Sequence, residues 1–177
     1  MCTSEVIRAG AFLAALLSAS PALAQPELGQ PVSEADLAAW DISIPPDGTG
    51  LPEGSGTVQE GAEVYAARCQ SCHDEGGAGD PADPLTGGIG SLEAAEPVKT
   101  VGSFWPYATT LFDYTRRAMP LDAPQSLTDD EVYAVTAFIL AENGIIGDDA
   151  EMNAKTLPQV EMPNRGGFIS WWPLPPG

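Results

Sequence analysis

The sequence has 177 residues, of which 25 are acidic and seven are basic, and its formal net charge at pH 7 is −18. A surface of that sign repels nucleic acid and anionic membranes, which excludes both as partners, whereas it attracts a basic protein partner. Such a charge is equally typical of general solubility or of adaptation to salt. The length suits one hydrophobic core rather than two.

The first 24 residues have the features of a secretory signal peptide. Arg8 is their only basic side chain, an apolar stretch covers residues 9–17, and Ala-Leu-Ala at residues 22–24 fits the small-residue cleavage pattern. The apolar run is too short to cross about 30 Å of hydrocarbon, which argues against a membrane anchor. Of the 177 residues, cleavage of these 24 leaves 153, and the sequence predicts that this mature chain is periplasmic and has no membrane span.

Two arms flank the predicted core domain. The N-terminal arm, residues 25–56, is rich in proline and glycine, and it contains one expected helix over residues 33–40 with Ser33 as its N-cap. Its stretch IPPDGTGLPEGSG, residues 44–56, predicts ordered turns or a wrapping arm, but composition does not distinguish these from a flexible linker. The C-terminal arm, residues 145–177, has little periodicity and contains several prolines.

The predicted core domain, residues 57–144, begins with a helix. Thr57 and Glu60 have the spacing of a capping box, and a mixed apolar face follows toward Cys69. A glycine-rich loop is expected over residues 76–90. The first helix therefore leads into the cysteine, and the loop comes after it.

Two more helices are expected before the domain ends. One is predicted over residues 105–118, with Pro106 tolerated in its first turn. The other is predicted over residues 129–143, where Thr128 and Glu131 form a second capping box and apolar residues recur at helical spacing. No internal repeat and no strand-rich region is expected.

The string Cys69-Gln70-Ser71-Cys72-His73 points to a specific chemistry. Two thiols separated by two residues add to the two vinyl groups of a haem, and the adjacent histidine reaches the iron from one face. A thioredoxin-like redox pair needs a βαβ setting and a zinc site needs four ligands, yet the mature chain has no further cysteine or histidine. The string predicts one covalently bound haem c on Cys69 and Cys72, with His73 as an axial iron ligand.

The second axial ligand is expected to be a methionine, because His73 is the only histidine and both mature cysteines are used. Met119 is the preferred candidate, since it follows a predicted helix and precedes Pro120, where the chain is stiff and extended. Met162 is a rival that comes after the last helix, and Met152 lies in a charged stretch expected to be exposed. An open sixth position is a further alternative, and any of these methionines is otherwise core filler.

The order of these elements resembles a class I cytochrome c. That family has a helix ending in CxxCH, a loop, a methionine-bearing segment and a closing helix that packs on the first. The resemblance covers residues 57–144. It implies an all-α fold around one covalently bound haem, here with irregular N- and C-terminal arms.

A narrower resemblance is to the cytochrome c subunits of bacterial sulfite or sulfane dehydrogenases. It is carried by five strings, at residues 44–56, 84–88, 103–120, 127–140 and 162–165. In those systems a molybdenum subunit oxidises a sulfur compound and passes electrons to a c-type haem, so the resemblance implies such a subunit as the electron donor. Gly166 departs from the pattern, because an acidic residue is expected after Met-Pro-Asn-Arg.

An iron with two protein ligands has no place for substrate, which favours outer-sphere electron transfer over catalysis. The sequence therefore predicts a carrier rather than an enzyme, with a protein donor and an acceptor in the respiratory chain. The alternatives are a freely diffusing shuttle, or a haem enzyme such as a peroxidase or a thiosulfate-oxidising cytochrome, which needs an open iron face. The arms either form an interface in a complex or wrap their own core.

Four further side chains are weaker candidates for contact with the haem. Trp105 and Tyr107 are expected to lie against it or to hydrogen-bond a propionate. Arg116 and Arg117 are expected either to offset propionate charge or to lie on a solvated helix face.

Overall fold

A computed structural model describes residues 29–169; the predicted signal peptide and the Trp171-Trp172 pair lie outside the described residues. The chain divides into a unit that ends at Leu37 and a unit that begins at Ala38. The first contains the start of helix α1, Glu34–Trp40, where the Ser33 hydroxyl accepts a hydrogen bond from the Asp36 amide at 3.1 Å. The helix and N-cap predicted in the N-terminal arm are confirmed.

The second unit is mostly helical, as expected for the class I cytochrome c fold. Its described elements, in chain order, are β1 (Ser55–Thr57), α2 (Val58–Arg68), α3 (Gln70–His73), a 3-10 turn (Glu75–Gly77), α4 (Val101–Phe104), α5 (Ala108–Ala118), α6 (Asp129–Glu142), β2 (Glu151–Asn153) and a 3-10 turn (Leu157–Gln159).

Helices α2 and α6 cross in direct backbone contact. A Cβ atom on Gly61 would lie 1.9 Å from the backbone oxygen of Ala134, so only glycine fits there. Next to this contact the rings of Tyr65 and Phe138 lie 4.9 Å apart between centroids. The first and last helices of the domain therefore form its central pair.

Both predicted capping boxes are present and start these two helices. The Thr57 hydroxyl accepts from the Glu60 amide at 3.2 Å, and the Thr57 amide donates to the Glu60 carboxylate at 2.9 Å. Thr128 and Glu131 repeat the arrangement, with distances of 3.3 and 2.7 Å. Each pair satisfies amide groups that the first helical turn leaves without partners.

The helix predicted over residues 105–118 was wrong at its start. Trp105 is extended, with φ −72° and ψ 130°, and α5 begins only at Ala108. A residue that precedes proline is disfavoured in the helical region by the proline ring, and Trp105 precedes Pro106. Pro106 therefore separates α4 from α5 instead of lying in the first turn of one helix.

The inner parts of both arms pack into the core of the domain. Strands β1 and β2 pair antiparallel, with Gly56 opposite Met152. The Ile44 amide donates to the buried Asp113 carboxylate at 2.9 Å. Side chains from both arms belong to the hydrophobic core, namely Ile44, Met152, Leu157, Val160 and Met162. The sequence left two alternatives for the arms, an interface in a complex or packing on their own core. For residues 44–56 and 151–162 the structure shows the second.

Candidate functional site

The Cys69–His73 string occupies a single turn at the end of α2. Cys69 ends α2 and precedes α3, and its carbonyl accepts from the amides of Cys72 and His73 at 3.1 and 3.0 Å. Both cysteines are free thiols, Cys69 half-buried and Cys72 exposed. Two thiols and an imidazole are thus presented by one short helix and the residue that precedes it.

Burial gives Cys69 the behaviour of a protonated thiol. It raises the pKa of Cys69 to about 11, against a smaller lowering by the nearby Arg68 guanidinium. A thioredoxin-like redox pair depends on a cysteine whose pKa is lowered. The electrostatics of Cys69 therefore argue against that alternative for the Cys-x-x-Cys spacing.

The imidazole of His73 has one nitrogen engaged by the backbone. Its Nδ1 lies 3.1 Å from the carbonyl oxygen of Asp83. A carbonyl only accepts hydrogen bonds, so Nδ1 carries the proton, and in the neutral ring the lone pair is on Nε2. A metal-ligating histidine has this arrangement, in which the second nitrogen fixes the tautomer and the ring orientation.

The loop after His73 is bound back onto the same turn. The Gly79 amide donates to the His73 carbonyl and the Ala82 amide to the Cys72 carbonyl, both at 2.9 Å. The Tyr65 hydroxyl donates to the carbonyl of Asp74 at 2.9 Å. These bonds hold the segment that brings the Asp83 carbonyl to the imidazole.

Met119 differs from the other two described methionines. It is half-buried at the end of α5, with the extended backbone expected before Pro120 (φ −120°, ψ 148°). Met162 and Met152 are 3% and 5% exposed and belong to the hydrophobic core. The expectation that Met152 is exposed was wrong, because β2 pairs with β1 and directs this side chain inward.

The two arginines of α5 each form an ion pair with an aspartate of the same chain. Arg116 Nε lies 2.8 Å from Asp129 Oδ1, and Arg117 forms an ion pair with Asp113. The hydrogen bond that the Arg117 guanidinium donates to the Asp113 carboxylate raises the pKa of Arg117. These contacts connect α5 to α6 and, through Asp113, to the N-terminal arm, so both arginines have structural partners.

The aromatic candidates also have protein partners. The rings of Trp105 and Tyr114 are nearly perpendicular, with centroids 5.9 Å apart. The guanidinium of Arg165 lies over the Tyr107 ring at 5.2 Å. Both contacts are with protein side chains, so neither supports the expected contact of Trp105 or Tyr107 with a haem.

Sequence patterns did not reveal three groups that support the site. Asp83 acts through its carbonyl, which no side-chain pattern marks. The Tyr65 hydroxyl and the Asn143 carboxamide bond to backbone atoms of loops that the fold brings to them. The proline that follows Asp83 was the one available sign of a stiff backbone at this point.

The described residues contain neither a cluster of metal-binding side chains nor a helix suited to cross a membrane. Across residues 29–169, no three side chains of histidine, cysteine, aspartate or glutamate gather in a way that would hold a metal ion. In the same residues, no helix combines the length and apolar character that a membrane crossing requires.

Comparison with known proteins identifies the class. Residues 56–139 match the family described as cytochrome c oxidase, cbb3-type, subunit III. Similarity to a solved structure shows that the chain belongs to the class I cytochrome c family. That structure is the sulfane dehydrogenase SoxCD from Paracoccus pantotrophus, 42% identical over 82% of this chain and 72% of that chain, with a TM-score of 0.76. Curated protein sequences gave no match.

The donor set fits the haem c that this family implies. Cys69 and Cys72 are free thiols with two residues between them, as in the haem c attachment motif, and Nε2 of His73 has a lone pair for iron. A thioether, such as the predicted ligand Met119 carries, is the softer ligand that completes many c-type sites. Thiol, imidazole and thioether are the three functions that such a group requires from its protein.

Proposed function

We propose that this chain is a periplasmic, single-haem cytochrome c that transfers one electron at a time and is not itself an enzyme. Cys69 and Cys72 would hold the haem through thioether bonds, and His73 and Met119 would be its axial ligands. When bound, this group supplies reversible one-electron iron chemistry. The observation that carries the proposal is the His73 imidazole, bonded through Nδ1 to Asp83 and adjacent to two free thiols.

The choice of Met119 over Met162 rests on burial. Met162 already fills the core, whereas the core cluster and the side chains packed on it, among the described residues, do not include Met119. A methionine outside the core, on a backbone held extended before a buried proline, is available as a ligand. Its thioether raises the potential of the iron relative to a second imidazole, which suits acceptance of electrons.

We infer that the electron donor is the molybdenum subunit of a sulfane dehydrogenase, and that the acceptor belongs to the respiratory chain. The similarity to SoxCD supports a place in a dehydrogenase complex. The net charge of −18 is suited to a partner with a basic surface, because complementary charge raises the rate of association.

The outer parts of both arms are left for a stable contact, since Trp40 in the N-terminal arm is 85% exposed. Residues 44–56 and 151–162 are committed to the core of this chain. Phe168 and Ile169, by contrast, are 53% and 79% exposed. Exposed apolar side chains at the end of a charged protein are typical of a protein interface.

The intact mass of the exported protein tests the haem assignment. Expression in a host that attaches haem to cytochromes should give the mass of residues 25–177 plus one haem, which acid acetone does not extract. A variant with Cys69→Ala and Cys72→Ala is the control and should lack the covalent group. A colourless wild-type protein, or a mass without haem, would contradict the proposal.

Co-purification with a cognate dehydrogenase tests the partner. An anchored complex should co-purify, its reduction rate should depend little on salt, and removal of residues 169–177 should release the cytochrome with its haem spectrum unchanged. Screening acts over about 10 Å at 0.1 M salt, so a complex formed by charge alone would lose its rate as salt rises. Steep salt dependence without co-purification would instead establish a diffusing shuttle.

A further inference from the structure

We infer that Asn143 is a positioning residue for the axial histidine: it holds the loop whose backbone accepts the His73 Nδ1 hydrogen bond. The inference rests on the proposed function, because it concerns His73 as a ligand of the haem iron. Asn143 is the C-cap residue of α6, and its side chain contacts this loop at Leu85.

The carboxamide of Asn143 is buried and fully used. The residue is 8% exposed. Its Nδ2 donates to the carbonyl of Leu85 at 3.2 Å and to that of Ile139 at 2.8 Å, and its Oδ1 accepts from the amide of Gly87 at 3.1 Å. One side chain therefore connects the last turn of α6 to two residues of the loop.

The same loop is bonded to the turn that follows the histidine. The Leu85 amide donates to the Gly77 carbonyl at 2.8 Å, and the Thr86 hydroxyl donates to the Gly76 carbonyl at 2.9 Å. Residues 85–87 are thus bonded on one side to the 3-10 turn Glu75–Gly77 and on another to the end of α6. The start of α4 holds the same loop, since the Val101 amide donates to the Leu85 carbonyl at 3.2 Å, so Asn143 provides one of two bonds on that oxygen.

The residue bonded to Asn143 and the residue bonded to His73 are close together in the chain, with only one residue between them. The Leu85 carbonyl accepts from Asn143, and the Asp83 carbonyl lies 3.1 Å from Nδ1 of His73. Pro84 lies between Asp83 and Leu85 in the chain, and its ring restricts its φ angle. A stiff connection of this length transmits the position of Leu85 to the Asp83 oxygen. Asn143 acts on the imidazole by this route and not by touching it.

The surroundings of Asn143 require an asparagine. A Cβ atom on Gly102 would lie 2.2 Å from Asn143 Oδ1, so α4 packs directly on the carboxamide. An aspartate has nearly the same shape and keeps the acceptor for Gly87, but it cannot donate to Leu85 or Ile139. Loss of the donor is therefore separable from loss of the side chain.

The expected consequence is a change in the redox balance of the iron. A hydrogen bond from Nδ1 makes the imidazole a stronger electron donor to the metal, which stabilises the oxidised state. When the Asp83 carbonyl is held less firmly, this bond weakens and the reduction potential rises. Mutation of a direct partner of a metal ligand typically costs 10–100-fold in metal affinity or activity. For this indirect partner we expect a shift of about three- to tenfold in the redox equilibrium.

The test uses the haem-loaded protein with Asn143→Asp and Asn143→Ala. Two quantities are measured: the equilibrium with a reference redox couple and, by NMR, the exchange rate of the His73 ring N–H with solvent. Asn143→Ala should favour the reduced state about three- to tenfold, where tenfold corresponds to about 59 mV, and the ring proton should exchange faster in both variants. The carboxylate that Asn143→Asp adds favours the oxidised state by its charge, so that variant is judged by ring exchange. The methionine-to-iron charge-transfer band should persist.

Two more variants make the result specific. Gly102→Ala pushes on the Asn143 carboxamide from α4 and should shift the equilibrium in the same direction, even if Asn143→Ala fails to fold. Asn153→Ala is the matched control. The Asn153 Oδ1 also accepts from two backbone amides, those of Lys155 and Thr156, but none of its contacts reaches the loop. It should leave potential and exchange unchanged.

The outcomes separate this inference from the proposed function. A wild-type protein without histidine–methionine haem ligation overturns the proposed function before any variant is made. With that ligation established, wild-type ring exchange in Asn143→Asp, together with wild-type potential and exchange in Gly102→Ala, overturns the positioning role. A lower melting temperature alone, without a shift in either measurement, makes Asn143 a structural residue and also overturns it.

Discussion

Two neighbouring regions of this molecule are held by different forces. At the α2–α6 crossing, backbone meets backbone at Gly61, and the consecutive α6 residues 132–137 are all buried. The turn that carries Cys69, Cys72 and His73 has no buried residue in α3 and is held by backbone hydrogen bonds. Close packing dominates the first region, and directional bonds position the second.

This difference separates the stability of the fold from the properties of the site. Burial of apolar area is the main favourable term in folding, so the crossing decides whether the domain folds. Hydrogen bonds contribute less net energy but fix direction, which a metal ligand needs. Changes at the crossing should therefore alter unfolding, and changes near the turn should alter the haem.

The largest effect is expected from Gly61→Val. Any side chain here overlaps the Ala134 backbone, which cannot withdraw without separating α2 from α6. We expect a loss of about 3 kcal/mol or more in the free energy of unfolding, measured by urea titration. Gly166→Val is the control, since nothing lies within 4 Å of its Cβ position. Equal stability of the two variants would contradict the close crossing.

The same distinction predicts that Met162 affects stability and Met119 affects the haem. Met162→Ala removes a core side chain that is 3% exposed and should cost about 2–3 kcal/mol, with the methionine-to-iron band intact. Met119→Ala should abolish that band and lower the reduction potential. Visible spectra and urea titrations check both variants. The reverse pattern would transfer the ligand role to Met162.

Alkaline pH should weaken the packed region selectively. Burial raises the pKa of Tyr65 and of Tyr133 to about 12, against an ordinary value of about 10. Folded and unfolded chains both keep these protons below pH 10, so the stability is intact there and is lost as pH rises from about 10 toward 12. The urea midpoint as a function of pH measures this loss.

Phenylalanine variants identify the tyrosines responsible. Tyr65→Phe and Tyr133→Phe should each reduce the loss between pH 10 and 12, because the titrating group is removed. Tyr114→Phe, at a side chain 46% exposed, serves as the comparison and should retain it. An unchanged alkaline profile in both buried variants would sink this attribution.

The smallest effect is expected at the start of α2. Thr57→Ala removes the hydroxyl that caps the Glu60 amide and should cost about 1 kcal/mol. Thr57→Ser retains the hydroxyl and should stay near the wild type. Neither variant should change the haem spectrum, since the cap lies at the opposite end of α2 from Cys69. A spectral change would show that the two regions are coupled.

The sequence by itself determined the features that depend on neighbours along the chain. Capping boxes need residues three apart, and both were predicted from Thr57 and Thr128 and confirmed. The extended backbone at Met119 follows from the proline after it. The Cys-x-x-Cys-His spacing likewise predicts haem attachment from five consecutive residues. A similar local rule was available for Trp105, where the proline breaks the predicted helix.

Only the tertiary structure decided what depends on distant residues. Three-residue strands carry too little pattern to reveal that β1 and β2 pair, so burial of Met152 was not foreseen. The Asp83 carbonyl meets His73, and Asn143 meets Leu85 across 58 positions, because the loop folds back between α4 and α6. Periodicity indicates which side chains are buried, but not which backbone atoms they will meet, since that depends on how the whole chain packs.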